Sequence, residues 1–167
     1  MEKQAMSPVK GLGILLAVIL VIGGYIAVAV ALHLSELWAG FLFLLYWSMA
    51  EEAKPDRIVK AATGSFVGAG TAALMALLPA AIGAGPGMAV FGAVVLVLVY
   101  AMIMGWARVA VNMGTMIFLT VATIPHIVGH ADYKQIFFGI ASGIAYFGGL
   151  ALIAAAVAKR KALAAQA

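Results

Sequence analysis

The sequence predicts an all-α, polytopic membrane protein with six transmembrane helices, arranged as two inverted three-helix repeats. Three observations lead to this fold class. Hydrophobic residues make up 66% of the 167 residues and charged residues only 10%, whereas about a quarter of a soluble domain is charged. Turn-forming residues divide the chain into six apolar segments. The two halves also share one order of segment lengths, within what we expect to be a single membrane domain over residues 1–167.

The predicted helices lie at about 8–33, 36–50, 55–78, 86–107, 109–125 and 133–158. Ser7 and Pro8 provide a cap and a first-turn proline for the first helix. Its apolar run of about 22 residues exceeds the 7–15 residues of a signal-peptide core, so we expect a retained span. Ser35 is the expected cap of the second helix, and Pro55 opens the third.

Proline and glycine also mark the boundaries in the second half. A loop is expected to begin at Pro79 and to run through the following glycines to Gly87. Pro125 is expected to end the fifth helix, and Asp132 to cap the sixth. His126 and His130 then fall in a loop rather than on one helix.

Lysine and arginine are distributed asymmetrically in this six-helix arrangement. Only Lys134 lies on the side opposite the termini. The other nine of the ten lie on the side that holds both termini: Lys3, Lys10, Lys54, Arg57, Lys60, Arg108, Lys159, Arg160 and Lys161. Cytoplasmic loops carry an excess of these residues. Both termini are therefore expected in the cytoplasm.

A shift of 75 residues superimposes the halves as repeats of about 8–78 and 86–158. It places Gly64 and Gly68 on Gly139 and Gly143. Each repeat has three spans, an odd number, so the second copy must be inverted in the membrane, a common plan among transporters. Glycines four residues apart let helices approach closely. They are expected to pack the repeats together or, alternatively, to form the interface of a homo-oligomer.

The second and fifth predicted helices are short for a membrane span. Their apolar runs, 37–49 and 109–124, are below the roughly 20 residues that an untilted span needs. Paired short segments in two halves indicate a solute site near the middle of the bilayer. The candidate pore-lining residues are Trp38, Phe41, Tyr46, Asn112, Thr115, Phe118, Thr120 and Thr123. Taken singly, a threonine can instead bond to its own helix, and Trp38 can be an interfacial residue.

Several classes of function are excluded or disfavoured by the composition. The predicted hydrocarbon region contains no Asp, Glu, Lys or Arg, which favours passive conduction of a small uncharged solute, or no transport, over ion-coupled pumping. Glu51 and its charged neighbours are expected in a solvated loop. There is no cysteine, no nucleophile–base arrangement and no phosphate loop, so no enzyme activity, cofactor or metal site is predicted. The basic residues lie at helix ends and form no nucleic-acid surface.

Three segments resemble the YcdZ-like family of bacterial inner-membrane proteins, a domain family of unknown function. They are SELWAGF at 35–41, NMGTMIF at 112–118 and GHADYK at 129–134. The chain departs from the family pattern at 51–56, where it reads EEAKPD instead of a small, glycine-rich loop. The resemblance implies a multi-span protein of the bacterial inner membrane. It supplies no activity and no site residues.

Two functions follow as expectations. The first is a channel or facilitator in the lipid bilayer for a small, neutral polar solute such as urea, an amide or water. The second is an accessory or structural subunit of a larger transport complex. The first requires the polar side chains of helices two and five to converge on one path, whereas the second has them packed dry or facing lipid.

Overall fold

The computed structural model describes residues 7–165, and every regular element in that range is helical. The first half contains α1 (Pro8–Ala31), α2 (Trp38–Ala50), a 3-10 turn (Pro55–Arg57) and α3 (Ile58–Ile82). The second half contains α4 (Ala84–Ile103), α5 (Met113–Ala122), α6 (Pro125–His130), α7 (Tyr133–Gly143), a π turn (Ile144–Gly148) and α8 (Gly149–Ala164). The predicted all-helical class is confirmed.

Within residues 7–165, four helical segments are long and apolar enough to cross a membrane: Pro8–Ala31, Pro55–Ile82, Ala84–Ile103 and Tyr133–Ala164. The helices α2 and α5 are apolar but shorter, with 13 and 10 residues. At 1.5 Å per residue they extend over only about 20 and 15 Å, against a hydrocarbon thickness of about 30 Å.

The chain divides into two compact units, one ending at Leu34 and the other beginning at Ser35. In the first, the Ser7 hydroxyl accepts a hydrogen bond from the Lys10 amide at 3.4 Å, and Pro8 begins α1 as predicted. The helix ends at Ala31, and His33, two residues later, adopts a positive φ of 54°. Lys3, one of the basic residues at this end of the sequence, lies outside the described residues.

In the second unit, α3 is the central helix and packs against α4, α5 and α7, while α2 packs mainly against α7. The predicted loop at Pro79 is wrong, because α3 continues through Pro79 to Ile82 and ends at Gly83, where φ is 91°. Gly87 makes this possible: a Cβ atom there would lie 2.6 Å from the carbonyl carbon of Leu78. The start of α4 therefore packs directly on the backbone of α3.

Three further boundaries differ from the prediction. Ser35 does not cap α2, which begins after Leu37 without a side-chain cap. The fifth helix is shorter than predicted because residues 104–111 form turns and Asn112 fixes its start. The sixth is interrupted by the π turn and continues to Ala164. Asp132 does cap α7, accepting from the Lys134 amide at 2.8 Å.

Candidate functional site

Asn112 and Thr115, two predicted pore-lining residues, form the reciprocal cap that starts α5. The Asn112 side-chain oxygen accepts from the Gly114 amide at 2.9 Å, and the Thr115 hydroxyl accepts from the Asn112 amide at 3.1 Å. The same hydroxyl donates to the Ala110 carbonyl at 2.7 Å. Both side chains are buried. Their polar groups therefore form hydrogen bonds with backbone groups at the start of α5, where the first turn of a helix leaves backbone groups unpaired.

Asn112 also joins three helices at this end of the second unit. Its amide nitrogen donates to the carbonyls of Lys60 on α3 and Val109, at 3.0 and 2.9 Å. The hydroxyl of Tyr46, on α2, lies 3.1 Å from the Asn112 oxygen and 3.0 Å from a carboxylate oxygen of Glu51. Because the hydroxyl has one proton, it can donate to only one of these acceptors at a time.

Glu51 is buried, so the prediction that it lies in a solvated loop is wrong. Its side chain is only 6% exposed and accepts from Lys60 Nζ at 2.5 Å, with Arg57 at 3.8 Å. The burial follows from the backbone: Glu52 and Ala53 adopt positive φ angles of 55° and 50°, and the Ala53 amide bonds back to the Trp47 carbonyl at 2.9 Å. This tight reversal turns Glu51 inwards.

The remainder of that loop is solvated, as predicted. Lys54 Nζ lies 2.7 Å from the Glu52 carboxylate, and both side chains are more than half exposed. The hydrogen bond and the charge of Lys54 lower the pKa of Glu52. A carboxylate that is buried needs paired cations and donors to offset its lost hydration, and Glu51 alone in this loop has that arrangement.

The four predicted packing glycines lie where helices approach closely. A Cβ atom added to Gly64 would clash with the Asn112 side chain, and one at Gly68 would clash with the Thr115 carbonyl. The same atom at Gly139 would lie 2.5 Å from the Glu36 carbonyl oxygen, and at Gly143 it would lie 2.7 Å from the Cα atom of Gly40. Glycine is therefore required for α3 to reach α5 and for α7 to reach α2.

Two open grooves lie on the short helices. The groove on α2 has a volume of about 480 Å³ and is lined by Trp38, Phe41, Leu42, Leu44, Leu45 and Ser48. The groove on α5 has a volume of about 340 Å³ and is lined by Met113, Met116, Ile117, Thr120 and Val121. Both are predominantly apolar, and they share no lining residue.

The eight predicted pore-lining residues are therefore not gathered in one cavity. Trp38 and Phe41 line the α2 groove, and Thr120 lines the α5 groove. Phe118 is fully buried. The Thr123 hydroxyl bonds back to the Leu119 and Thr120 carbonyls, at 2.8 and 3.1 Å. The hydroxyl of Thr120 alone among these threonines has no hydrogen-bond partner within residues 7–165.

The histidine pair differs from its prediction. His126 and His130 lie on the short helix α6, not in a loop, and their ring centroids are 4.8 Å apart. His130 Nδ1 is 3.0 Å from the His126 carbonyl oxygen. Within residues 7–165 no three histidine or acidic side chains come together as a metal site would require.

Sequence reasoning also missed Tyr133. Its hydroxyl is 3.3 Å from the carbonyls of both Ala72 on α3 and Ala122 on α5, so it ties α7 to both helices. A lone tyrosine directly after a capping aspartate offers no pattern from which this contact could be predicted.

Comparisons of the chain with known protein families, with curated proteins and with solved structures found no match.

Proposed function

We propose that the chain is a channel or facilitator for a small, neutral polar solute such as urea, an amide or water. It belongs to the bacterial inner membrane and is built from six spans in two inverted repeats, with α2 and α5 as the short helices of each repeat. The path runs along the open faces of α2 and α5. The YcdZ-like resemblance is part of this proposal, because it implies a multi-span protein of the same membrane.

The repeat is supported by reciprocal contacts within the second unit. Gly68 approaches Thr115, and Gly143 approaches Gly40. Adding 75 to residue 68 gives 143, and adding 75 to residue 40 gives 115, so the second contact is the first with the repeats exchanged. Such exchange is the property of an interface with two-fold symmetry. With three spans in each repeat, the axis must lie in the membrane plane.

The buried positions of the two repeats are also related by the shift of 75 residues. Ala61, Ser65 and Ala72 on α3 are fully buried. Their equivalents at 75 residues further on are Ile136, Ile140 and Phe147, which are also buried. The two repeats are thus buried at equivalent positions even where the side chains differ in size and polarity. A chance similarity between two apolar sequences does not explain this agreement.

The observation that carries the proposed path is the equivalence of the two grooves. Positions 38, 41, 42 and 45 line the groove on α2, and adding 75 gives 113, 116, 117 and 120, which line the groove on α5. Each repeat therefore leaves the same helix face open. On that face the Thr120 hydroxyl, which has no hydrogen-bond partner within residues 7–165, is available to bind a polar solute.

The proposal predicts that Thr120→Trp abolishes most of the solute flux. In liposomes that contain the purified protein, urea or a similar small neutral solute should equilibrate faster than in empty liposomes, as measured by shrink–swell light scattering. An indole at position 120 should block a narrow path sterically. The control is Leu96→Trp on α4, at a side chain that is 70% exposed. Equal flux through both variants would contradict a path along α5.

The alternative is an accessory subunit of a larger transport complex. It is favoured by the apolar lining of both grooves and by the engagement of Asn112 and Thr115 in a packed cap. On this hypothesis the grooves bind another chain, either a partner or a second copy. Correctly folded protein that accelerates no small solute over empty liposomes would support the accessory subunit.

A topology prediction follows from the nine-to-one distribution of basic residues. Tags at both termini should be protected from protease in intact spheroplasts, whereas a tag inserted at Gly85 should be cleaved. Gly85 is suited to insertion because it is exposed and, within residues 7–165, no other helix lies within 4 Å of an added Cβ atom there. Cleavage of one terminal tag and protection of the other would contradict an even number of spans.

A further inference from the structure

A polar cavity of about 320 Å³ lies beside the end of α4, apart from both grooves. It is lined by Lys60, Met102, Ile103, Met104, Gly105, Arg108, Val111 and Asn112. This volume is well above the minimum that a single water molecule needs. The cavity therefore has room for a phosphate-sized group together with part of what the group is attached to.

Arg108 is held at this cavity by the way α4 ends. Gly105 adopts a φ of 67°, its amide bonds to the Met102 carbonyl at 3.1 Å, and the Trp106 amide bonds to the Ala101 carbonyl at 2.8 Å. This pair of bonds is the Schellman motif that stops a helix at a glycine. The Arg108 Nε atom then donates to the Gly105 carbonyl at 3.2 Å, which fixes the guanidinium over the turn.

The positive charge of the Arg108 guanidinium is available to bind an anion. Within residues 7–165, no carboxylate lies within ion-pair distance of Arg108. Lys60 gives one hydrogen bond to Glu51, and an ammonium group has three donors. The third lining polar group, Asn112, is already engaged with backbone groups. Arg108 therefore supplies the positive charge that has no carboxylate partner within residues 7–165, and Lys60, which is paired with Glu51, supplies further donors. This arrangement fits an anion with several acceptor oxygens.

The residues at the rim of the cavity indicate which kind of molecule contains the anionic group. Met102, Ile103 and Met104 are 41%, 76% and 49% exposed, and the first two belong to the last turn of α4, one of the four helices able to span a membrane. Cations next to an apolar surface at the end of a span match a lipid with an anionic headgroup. We propose that Lys60 and Arg108 bind the phosphate of an anionic phospholipid whose acyl chain lies along Met102 and Ile103.

The test is lipid retention by the full-length protein, measured by native mass spectrometry with phosphatidylglycerol or phosphatidylcholine added. Phosphatidylglycerol should be retained preferentially, and Arg108→Gln should reduce its retention about fivefold, as expected for one lost cationic contact at a membrane surface. The matched control is Arg160→Gln, which removes the same charge from an exposed position on α8 and should change retention little.

Two further measurements make the proposal falsifiable without relying on a variant. Preference for phosphatidylglycerol by the unaltered protein should fall as salt is raised, because the contact is ionic. Inorganic phosphate at the same concentration should not displace the lipid. Equal retention of both lipids, equal effects of the two arginine variants, or displacement by inorganic phosphate would each overturn the lipid assignment.

Discussion

Gly68→Leu is expected to destabilise the protein by more than about 3 kcal/mol, because the added side chain would meet backbone that cannot move aside. A Cβ atom at Gly68 clashes with the Thr115 carbonyl and lies 2.8 Å from the Cβ atom of Phe118. Overpacking typically costs about 1–3 kcal/mol when side chains can adjust, and here α3 and α5 must separate. The loss is measured as the thermal unfolding midpoint and the monodisperse fraction on size exclusion in detergent.

Two variants make this result specific. Gly92→Leu on α4 adds the same side chain where, within residues 7–165, no other helix lies within 4 Å of the new Cβ atom. It should therefore be neutral or slightly stabilising, given the low helix propensity of glycine. Gly143→Leu disrupts the equivalent contact between α7 and α2 and should be as damaging as Gly68→Leu. A Gly68→Leu protein as stable as Gly92→Leu would contradict the close approach of α3 and α5.

The helices were largely predictable because their signals are local. Hydrophobic runs and the caps at Ser7 and Asp132 depend only on neighbouring residues, and all are present in the structure. Pro79 shows where local signals fail. A proline usually disrupts a helix, yet here α3 continues because Gly87 lets α4 pack against the prolonged helix, a tertiary effect.

The candidate site was less predictable because its polar groups pair over long separations. Tyr46 contacts Asn112, 66 residues away, and no spacing rule connects them. The charged neighbours of Glu51 predict a solvated position for its side chain. Its burial depends on left-handed conformations at Glu52 and Ala53, residues that rarely adopt them. The sequence predicts Thr115 as a pore-lining residue, although the same hydroxyl suits a helix cap equally well.

The buried ion pair gives the second large prediction: Lys60→Met should lower the free energy of unfolding by about 2–3 kcal/mol. Removing one partner of a buried pair typically costs about 3–5 kcal/mol because the other charge is left without compensation. The loss is smaller here because Arg57 remains 3.8 Å from Glu51 and the Lys60 side chain is 33% exposed. Chemical unfolding followed by tryptophan fluorescence measures the change.

A second substitution, at Glu51, tests whether the unpaired buried charge causes the loss of stability. In the Glu51→Gln, Lys60→Met double variant no buried charge is left unpaired, so most of the lost stability should return, and the double-mutant cycle gives the coupling. Lys54→Met is the matched control. It breaks a pair whose side chains are 53% and 72% exposed and should cost much less stability than Lys60→Met, because water screens an exposed pair. If Lys60→Met costs no more than Lys54→Met, Glu51 is hydrated in the folded protein, and the polar network of Tyr46, Glu51 and Asn112 does not hold α2, α3 and α5 together.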